Sequence, residues 1–311
     1  MSDMGLTVLK PGVQATLQAA PRRGVRHLGI PASGPADPIS MALANRLVGN
    51  FSDTCALELP FGLAEFEFEA DCAIAITGAF ARLERGGAEA TMHETLQVKA
   101  GERVSIGAPE SGARVYMAVT GGFVANNFLG SVSTCLPAGF GGLSGRALRR
   151  GDRLETFAGK DVAALKTPPE LRQTLSHTYA VRCVPGPDAG MIPDLSAVQE
   201  YTATRRADRT GIEVMGPWPE LQHGSLKPSA PVFPGAVQLT PSGTAFVLLP
   251  DSQTTGGYPH VLQVIEADCH LLGQIRPGDR IRFIRRTPDQ AAEDLRRKTE
   301  FVRNWLPDFR F

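Results

Sequence analysis

Cysteine is scarce in this sequence and poorly spaced for chemistry. Five cysteines, at positions 55, 72, 135, 183 and 269, are spread through 311 residues, an odd number with no C-x-x-C pair. That pattern argues against a disulfide framework and against a zinc site. It suits a reducing, cytoplasmic compartment. Aromatic residues are also few: two Trp and four Tyr do not furnish a platform on which nucleic-acid bases stack. Neither sign of charge is in excess, since 32 Lys plus Arg balance 32 Asp plus Glu. No bulk field therefore draws the chain to nucleic acid or to an anionic membrane. Apolar runs are strand-sized, far from the ~20 residues that a spanning helix requires. The N-terminal Met-Ser-Asp-Met-Gly-Leu-Thr lacks a basic segment leading into an apolar core, so no signal peptide is expected.

Several sequence signatures of catalysis are missing too. There is no G-x-x-x-x-G-K-[ST] phosphate loop and no G-x-S-x-G nucleophile elbow. The histidines at 27, 93, 177, 223, 260 and 270 show no metal-ligand spacing. No lysine stands between two methionines, as a biotin attachment site requires, so biotin would have to arrive on another polypeptide.

Glycine and proline are plentiful, at 33 and 24, and they punctuate short strand-like runs. Residues 64–70 alternate with period two, placing Ala64, Phe66, Phe68 and Ala70 on one face and three glutamates on the other. Further strands are expected over 72–77, 103–107, 113–119, 179–184, 236–240, 246–249, 261–265 and 281–285. Three turns repeat one formula of Gly, acid, Arg and aliphatic: Gly101-Glu102-Arg103-Val104, Gly151-Asp152-Arg153-Leu154 and Gly278-Asp279-Arg280-Ile281. The last two each close a strand-rich half, which suggests two related β domains. Two helices stand out. One opens at Asp37-Pro38, with an acid cap and proline at the first position, and stops at Gly49. The other opens at Thr287-Pro288-Asp289-Gln290 with a capping box and should clamp the C-terminus onto a domain through Ala291, Leu295, Val302, Trp305 and Leu306. Residues 158–177, with Pro168-Pro169, read as a linker between a domain over 1–165 and another over 178–311. Strand and helix do not alternate, so a doubly wound sheet is not expected. The expected class is mainly β, barrel or sandwich, with a few short helices.

The richest stretch is Asp251-Ser-Gln-Thr-Thr-Gly-Gly-Tyr-Pro259, set between two apolar runs. Gly256 and Gly257 let the main chain approach a bound group, while Gln253, Thr254 and Thr255 donate and accept in the same space. In the first half, Ser33-Gly34 leads into the helix that Asp37 caps, exposing backbone N–H groups suited to an anion or a carbonyl oxygen. A third polar, glycine-dense stretch holds Ser133, Thr134 and Arg146, and an arginine there can clamp a carboxylate. Arg209 lies beside Asp208, where a local ion pair is the simpler reading. Gln238 lies in an apolar strand, where a buried amide needs polar company.

These residues carry a resemblance. Gly29-Ile-Pro-Ala-Ser-Gly-Pro-Ala-Asp37, Ala44-Asn-Arg-Leu-Val-Gly-Asn50, Gly130-Ser-Val-Ser-Thr134, Asp208-Arg-Thr-Gly211 and Gln253-Thr-Thr-Gly-Gly-Tyr-Pro259 occur in the order found in the carboxyltransferase-like family often labelled allophanate hydrolase subunit 2. That family takes in the C-type subunit of bacterial ATP-dependent 5-oxoprolinase, the carboxyltransferase region of urea amidolyase, and the antagonist of a sporulation-kinase inhibitor. The resemblance spans nearly the whole chain. It implies two cyclophilin-like β-barrel domains and a companion of related fold, the B-type subunit of 5-oxoprolinase or allophanate hydrolase subunit 1. It further implies a small amide or lactam substrate, foremost 5-oxoproline opened to glutamate, with ATP used through the multi-subunit complex and no cofactor bound covalently. Two alternatives are a biotin-dependent carboxyltransferase and a non-catalytic regulator that binds a kinase-inhibitor-type protein. On the lactam reading the glycine-lined loops gather around one small polar guest. Asp37, Asp251, Thr254 and Thr255 then serve catalysis, with either Asp assisting proton transfer. Ser33, Gly34, Ser133, Thr134, Arg146, Arg209, Gln238, Gln253, Gly256, Gly257 and Tyr258 hold the substrate. The sequence departs from the family pattern at Ala19, where an acid is expected, and at Glu213-Val214, where an Arg-Leu pair is common.

Overall fold

The structure is a computed structural model that describes residues 4–193, 199–221 and 227–311; His223 lies outside them. The chain divides into two units. Unit 1 comprises Met1–Arg22, Ser33–Leu175 and Val302–Arg310, and unit 2 comprises Arg23–Ala32, Ser176–Phe301 and Phe311.

Unit 1 is built from β1 (Gly5–Pro11), β2 (Thr16–Gln18), α1 (Pro38–Leu47), β3 (Ala56–Pro60), β4 (Ala64–Phe68), β5 (Cys72–Gly78) and β6 (Leu83–Arg85). It continues with β7 (Ala88–Ala90), β8 (Leu96–Val98), β9 (Arg103–Ile106), β10 (Arg114–Val119) and β11 (Arg153–Glu155). A six-stranded sheet runs β11-β1-β4-β9-β6-β7 and a five-stranded sheet runs β2-β3-β10-β5-β8. Phe66 and Phe68 of β4 join Leu57, Ile74, Ile76, Val115 and Met117 of the second sheet in one apolar core. The alternation read in residues 64–68 is the burial pattern of a strand with one wet face. Strands β5 and β10 are apolar at nearly every position because α1 covers their other face. Met41, Ala44, Leu47 and Val48 pack there on Ala73, Ala75, Tyr116 and Ala118. Register then sets a polar row under the helix, since Tyr116 pairs with Glu58 on one side and Thr77 on the other.

Of residues 158–177, read as a linker, those up to Leu175 group with unit 1 and the last two with unit 2. Leu171 is buried there, and the Thr167 N–H donates to the His93 carbonyl at 2.9 Å. The C-terminal segment Val302–Arg310 also belongs to unit 1. Trp305 packs beside the α1 cluster, and the Asp308 carboxylate accepts from the Ser52 N–H at 2.7 Å.

Unit 2 is built from β12 (Thr178–Pro185), β13 (Glu200–Ala207), β14 (Gly211–Met215), β15 (Ala230–Pro231), β16 (Ala236–Leu239), β17 (Ala245–Leu248), β18 (Thr255–Gly256) and β19 (His260–Val264). After these come α2 (Glu266–Leu272), β20 (Arg280–Arg285) and α3 (Pro288–Arg303). Seven strands close a barrel in the order β12-β19-β16-β17-β14-β13-β20. The ring closes through a parallel pairing of β20 with β12, from Thr178 opposite Arg280 to Cys183 opposite Arg285. Helix α3 begins with the expected capping box: the Thr287 N–H donates to Gln290 Oε1 at 3.0 Å, and the Gln290 N–H donates to Thr287 Oγ1 at 3.2 Å. Helix α2 was not legible, because its cap residue Ile265 makes no side-chain capping bond.

The repeated turn formula has one physical meaning. In each turn the acid's carboxylate accepts the N–H three residues earlier: Lys99 to Glu102 at 2.8 Å, Arg149 to Asp152 at 2.7 Å, Arg276 to Asp279 at 2.9 Å. The glycine ahead of each acid has φ of 79°, 86° and 92° respectively, the left-handed geometry that a type II turn demands at its third residue.

Candidate functional site

The loop between β17 and β19 is anchored near its start, at Asp251. Asp251 and Arg209 are both 2% exposed, and the guanidinium donates to the carboxylate from Nε at 2.8 Å and from Nη2 at 3.1 Å. The local Arg209–Asp208 pair expected from sequence is thus corrected. Asp208 instead accepts the Thr210 N–H of its own turn at 2.6 Å, while Arg209 reaches a partner 42 residues away. Gln238 supports the far side of the loop. It is 1% exposed, donates from Nε2 to the Tyr258 carbonyl at 3.1 Å, and accepts from Gln253 Nε2 at 3.1 Å. A side chain at Gly256 would place Cβ 2.6 Å from Gln238 Nε2, so it would displace the amide from its bonds to Tyr258 and Gln253. β18 pairs with β15, opposing Gly256 to Ala230 and Thr255 to Pro231.

Held in this way, the loop presents Gln253, Thr255 and Tyr258 as exposed residues and Thr254 as a half-buried one. Ser252 is fully buried with its hydroxyl unpartnered, and the buried Nε2 of His260 is unpartnered as well. Arg26, which no sequence motif singled out, also belongs here. Its Nη2 donates to the Val232 carbonyl at 2.6 Å and to the Gln253 carbonyl at 3.3 Å, and the group lies 5.5 Å from the centre of the Phe233 ring.

In unit 1 the Ser33-Gly34 turn has φ of 55° and 93° and delivers the chain to α1. Ser33 is buried and its hydroxyl has no partner. The N–H groups expected to receive an anion at the helix start are already engaged. Ala36 donates to Glu58 Oε2 at 2.8 Å and Asp37 donates to the Tyr116 hydroxyl at 2.8 Å. Burial, followed by the charges of Glu58 and Asp37, raises the Tyr116 phenol well above its usual range. It therefore stays protonated and donates to Glu58 Oε2 at 2.7 Å. Asp37 caps α1 as expected, accepting the Ser40 N–H at 3.0 Å. It is wholly buried and also accepts from Ser40 Oγ at 2.6 Å and Gln173 Nε2 at 3.2 Å.

The glycine-dense loop of unit 1 is stapled to the end of β2 and the residue after it. Ser133 Oγ accepts the Ala19 N–H at 2.9 Å and donates to the Ala19 carbonyl at 2.9 Å, and Thr134 Oγ1 donates to the Leu17 carbonyl at 2.9 Å. The side chain of Ala19 is buried in the apolar core, an environment that suits alanine. Buried Arg22 holds the same loop, donating to the Phe128 carbonyl at 3.0 Å with its guanidinium 4.6 Å from the Phe140 ring. Arg146 does clamp a carboxylate, but it is Asp152 of this chain, at 2.7 and 2.8 Å. Glu213, the second departure, accepts from Thr204 Oγ1 at 2.7 Å and Arg206 Nη1 at 2.8 Å within the β13–β14 hairpin.

Cysteine nucleophiles are disfavoured: burial pushes the thiols of Cys55, Cys72, Cys183 and Cys269 up to about 12. The arrangement offers hydroxyls, amides and main chain, with the carboxylates of Asp37, Asp152 and Asp251 held by partners within the protein.

Fold and motif loops together define a carboxyltransferase-type domain. The carboxyltransferase domain, subdomain A and B, family model matches residues 28–285, and the chain belongs to that family. It is 34% identical to the C-type subunit of 5-oxoprolinase from Escherichia coli over 93% of each chain. It is 33% identical to the same subunit from Haemophilus influenzae over 95% of each chain. Urea amidolyase of Saccharomyces cerevisiae is 31% identical over 90% of this chain but only 16% of its own length. Among solved structures, Kluyveromyces lactis urea amidolyase superposes with a TM-score of 0.90 at 27% identity, over 97% of this chain and 20% of that one.

Proposed function

We propose that this chain is the C-type subunit of a multi-subunit 5-oxoprolinase, which opens the lactam of 5-oxoproline to glutamate at the expense of ATP. The observation that carries this reading is the 34% identity to the C-type 5-oxoprolinase subunit across 93% of both chains. The unit 2 loop suits the task. Thr254 and Thr255 bring hydroxyls and Gly256-Gly257 open main chain to a small amide, groups that both donate and accept. In unit 1, Ser33 keeps an unpartnered hydroxyl of its own. Asp37 and Asp251, each buried and fully engaged, are assigned to positioning their loops rather than to moving protons. ATP is assigned to companion subunits of related fold, since this sequence has no phosphate loop of the P-loop kind. The compartment is cytoplasmic on this reading. Among the described residues, no helix is long and apolar enough to cross a membrane.

The test is to purify the chain with its companion subunits and follow glutamate release from 5-oxoproline with ATP. The assembly should release glutamate, the isolated chain should not, and Thr254→Ala should lower kcat/KM by about tenfold, the order of one lost hydrogen bond. The likeness to urea amidolyase favours a second reading, transfer of a carboxyl group from a biotin carrier on another polypeptide. Incorporation of labelled bicarbonate without glutamate release would select it.

A further inference from the structure

Arg26 is a cation held only by neutral groups. It opens a 3₁₀ turn, Arg26–Leu28, that ends at Gly29 with φ of 80° and the Gly29 N–H donating to the Arg26 carbonyl. One guanidinium nitrogen is satisfied by the carbonyls of Val232 and Gln253, and the ring of Phe233, itself 53% exposed, lies within cation–π reach. The other terminal nitrogen, Nη1, is buried and has no hydrogen-bond partner. Among the described residues no carboxylate lies within ion-pair distance of Arg26. Arg114, Arg146, Arg182 and Arg209 by contrast each meet an Asp or Glu at 2.6–3.2 Å. Burial also pulls the Arg26 guanidinium below its ordinary value, as expected where charge is desolvated without compensation.

A buried, unsatisfied N–H on a charged group is costly, by about 1–3 kcal/mol or more. Its natural complement is an oxyanion, and guanidinium favours planar carboxylates. A second observation points the same way. Ser252 precedes the residue whose carbonyl Arg26 contacts, is completely buried, and carries an unpartnered hydroxyl. The turn at Arg26 and the loop at Ser252 thus each keep an unused donor, and Thr254 and Thr255 of the same loop bring hydroxyls.

Building on the lactam reading above, we infer that Arg26 is the docking point for a substrate carboxylate and makes this loop selective for a carboxylate-bearing lactam over a neutral amide. 5-Oxoproline carries such a carboxylate next to its ring nitrogen. Urea and 2-pyrrolidinone, the same ring without the carboxylate, do not. Arg26 is a specificity residue; the inference assigns it no bond-making step.

The test compares 5-oxoproline, 2-pyrrolidinone and urea with the assembled enzyme, by steady-state kinetics and by calorimetric binding. Wild type should favour 5-oxoproline over 2-pyrrolidinone. Arg26→Gln should raise KM for 5-oxoproline about 10- to 100-fold, the worth of a charge-assisted hydrogen bond, and bring the KM ratio of the two lactams toward one. Arg26→Lys should restore part of the preference, and Arg23→Gln, at an exposed neighbour, should leave it intact. Melting temperatures of the variants separate loss of binding from loss of fold. If the assembly opens no lactam yet binds 5-oxoproline or carboxylated urea in an Arg26-dependent manner, the ring-opening function fails and the carboxylate site stands. Unchanged selectivity in folded Arg26→Gln, or calorimetry showing no carboxylate bound, overturns the inference.

Discussion

Asp251 and Arg209 show how much a single pair of residues decides. Both are almost free of solvent and joined by two hydrogen bonds, so removing one charge strands the other. Asp251→Asn should destabilise the protein by about 3–5 kcal/mol, measured by chemical denaturation. Adding Arg209→Met should recover a good part of that loss. A cost below about 1 kcal/mol for the single variant would show that the pair is solvated after all. The sequence placed an acid beside Arg209, but both residues sit in the bend between β13 and β14, where the Asp208 carboxylate is taken up by the N–H groups of Thr210 and Gly211. Asp208 therefore turns into its own loop while Arg209 finds Asp251. Arg26 escaped notice for a related reason, since three arginines within Arg22–Arg26 look like a surface run until their separate partners are seen. Gln238 was legible: an amide between Val237 and Leu239 had to be buried with polar company, and Gln253 with the Tyr258 carbonyl supply it.

Helix α1 is the element read most completely. Acid cap, proline at the first position and terminal glycine all stand where local rules put them. What the cap does beyond starting the helix was hidden. Asp37 also meets Gln173, 136 residues away, so one carboxylate ties the segment before unit 2 to the helix start. Asp37→Ala should lower stability by about 2–3 kcal/mol, from the lost cap and from the Gln173 and Ser40 groups left unpaired. A value near 0.5 kcal/mol in a denaturation titration would mean that the cap alone matters. Strands β5 and β10 were read correctly as strands, yet nothing local reveals that α1 covers them. A continuous apolar run fits a two-sided strand or a buried helix equally.

At the scale of the whole molecule, three buried histidines make stability depend on pH. Burial, with the nearby charge of Arg172, pushes His93 down to about 4. Burial lowers His260, and burial with the charges of Lys298 and Arg182 lowers His270 well below its usual range. The folded protein holds these rings neutral, while the unfolded chain takes up protons near 6.5. Their contribution is therefore fully present above about pH 6.5 and is lost as pH falls toward 4. His93 alone should account for roughly 3 kcal/mol of that loss. Denaturation of wild type and His93→Asn between about pH 7 and 4.5 checks it. The variant should show the shallower decline, and parallel curves would mean that His93 is protonated in the fold.

The sequence by itself determined the class of fold, the start of α1, the capping box of α3, the repeated turns and which loops are rich in binding groups. Each rests on interactions within a few residues, or on periodicity along one strand. Tertiary structure alone decided which donors in those loops are already spent. Ser133, Thr134 and Arg146 turned inward to partners in this chain, while Arg26 and Ser252 kept unused hydrogens. That distinction depends on which distant carbonyl or carboxylate the fold brings within hydrogen-bond reach, and no local pattern encodes it.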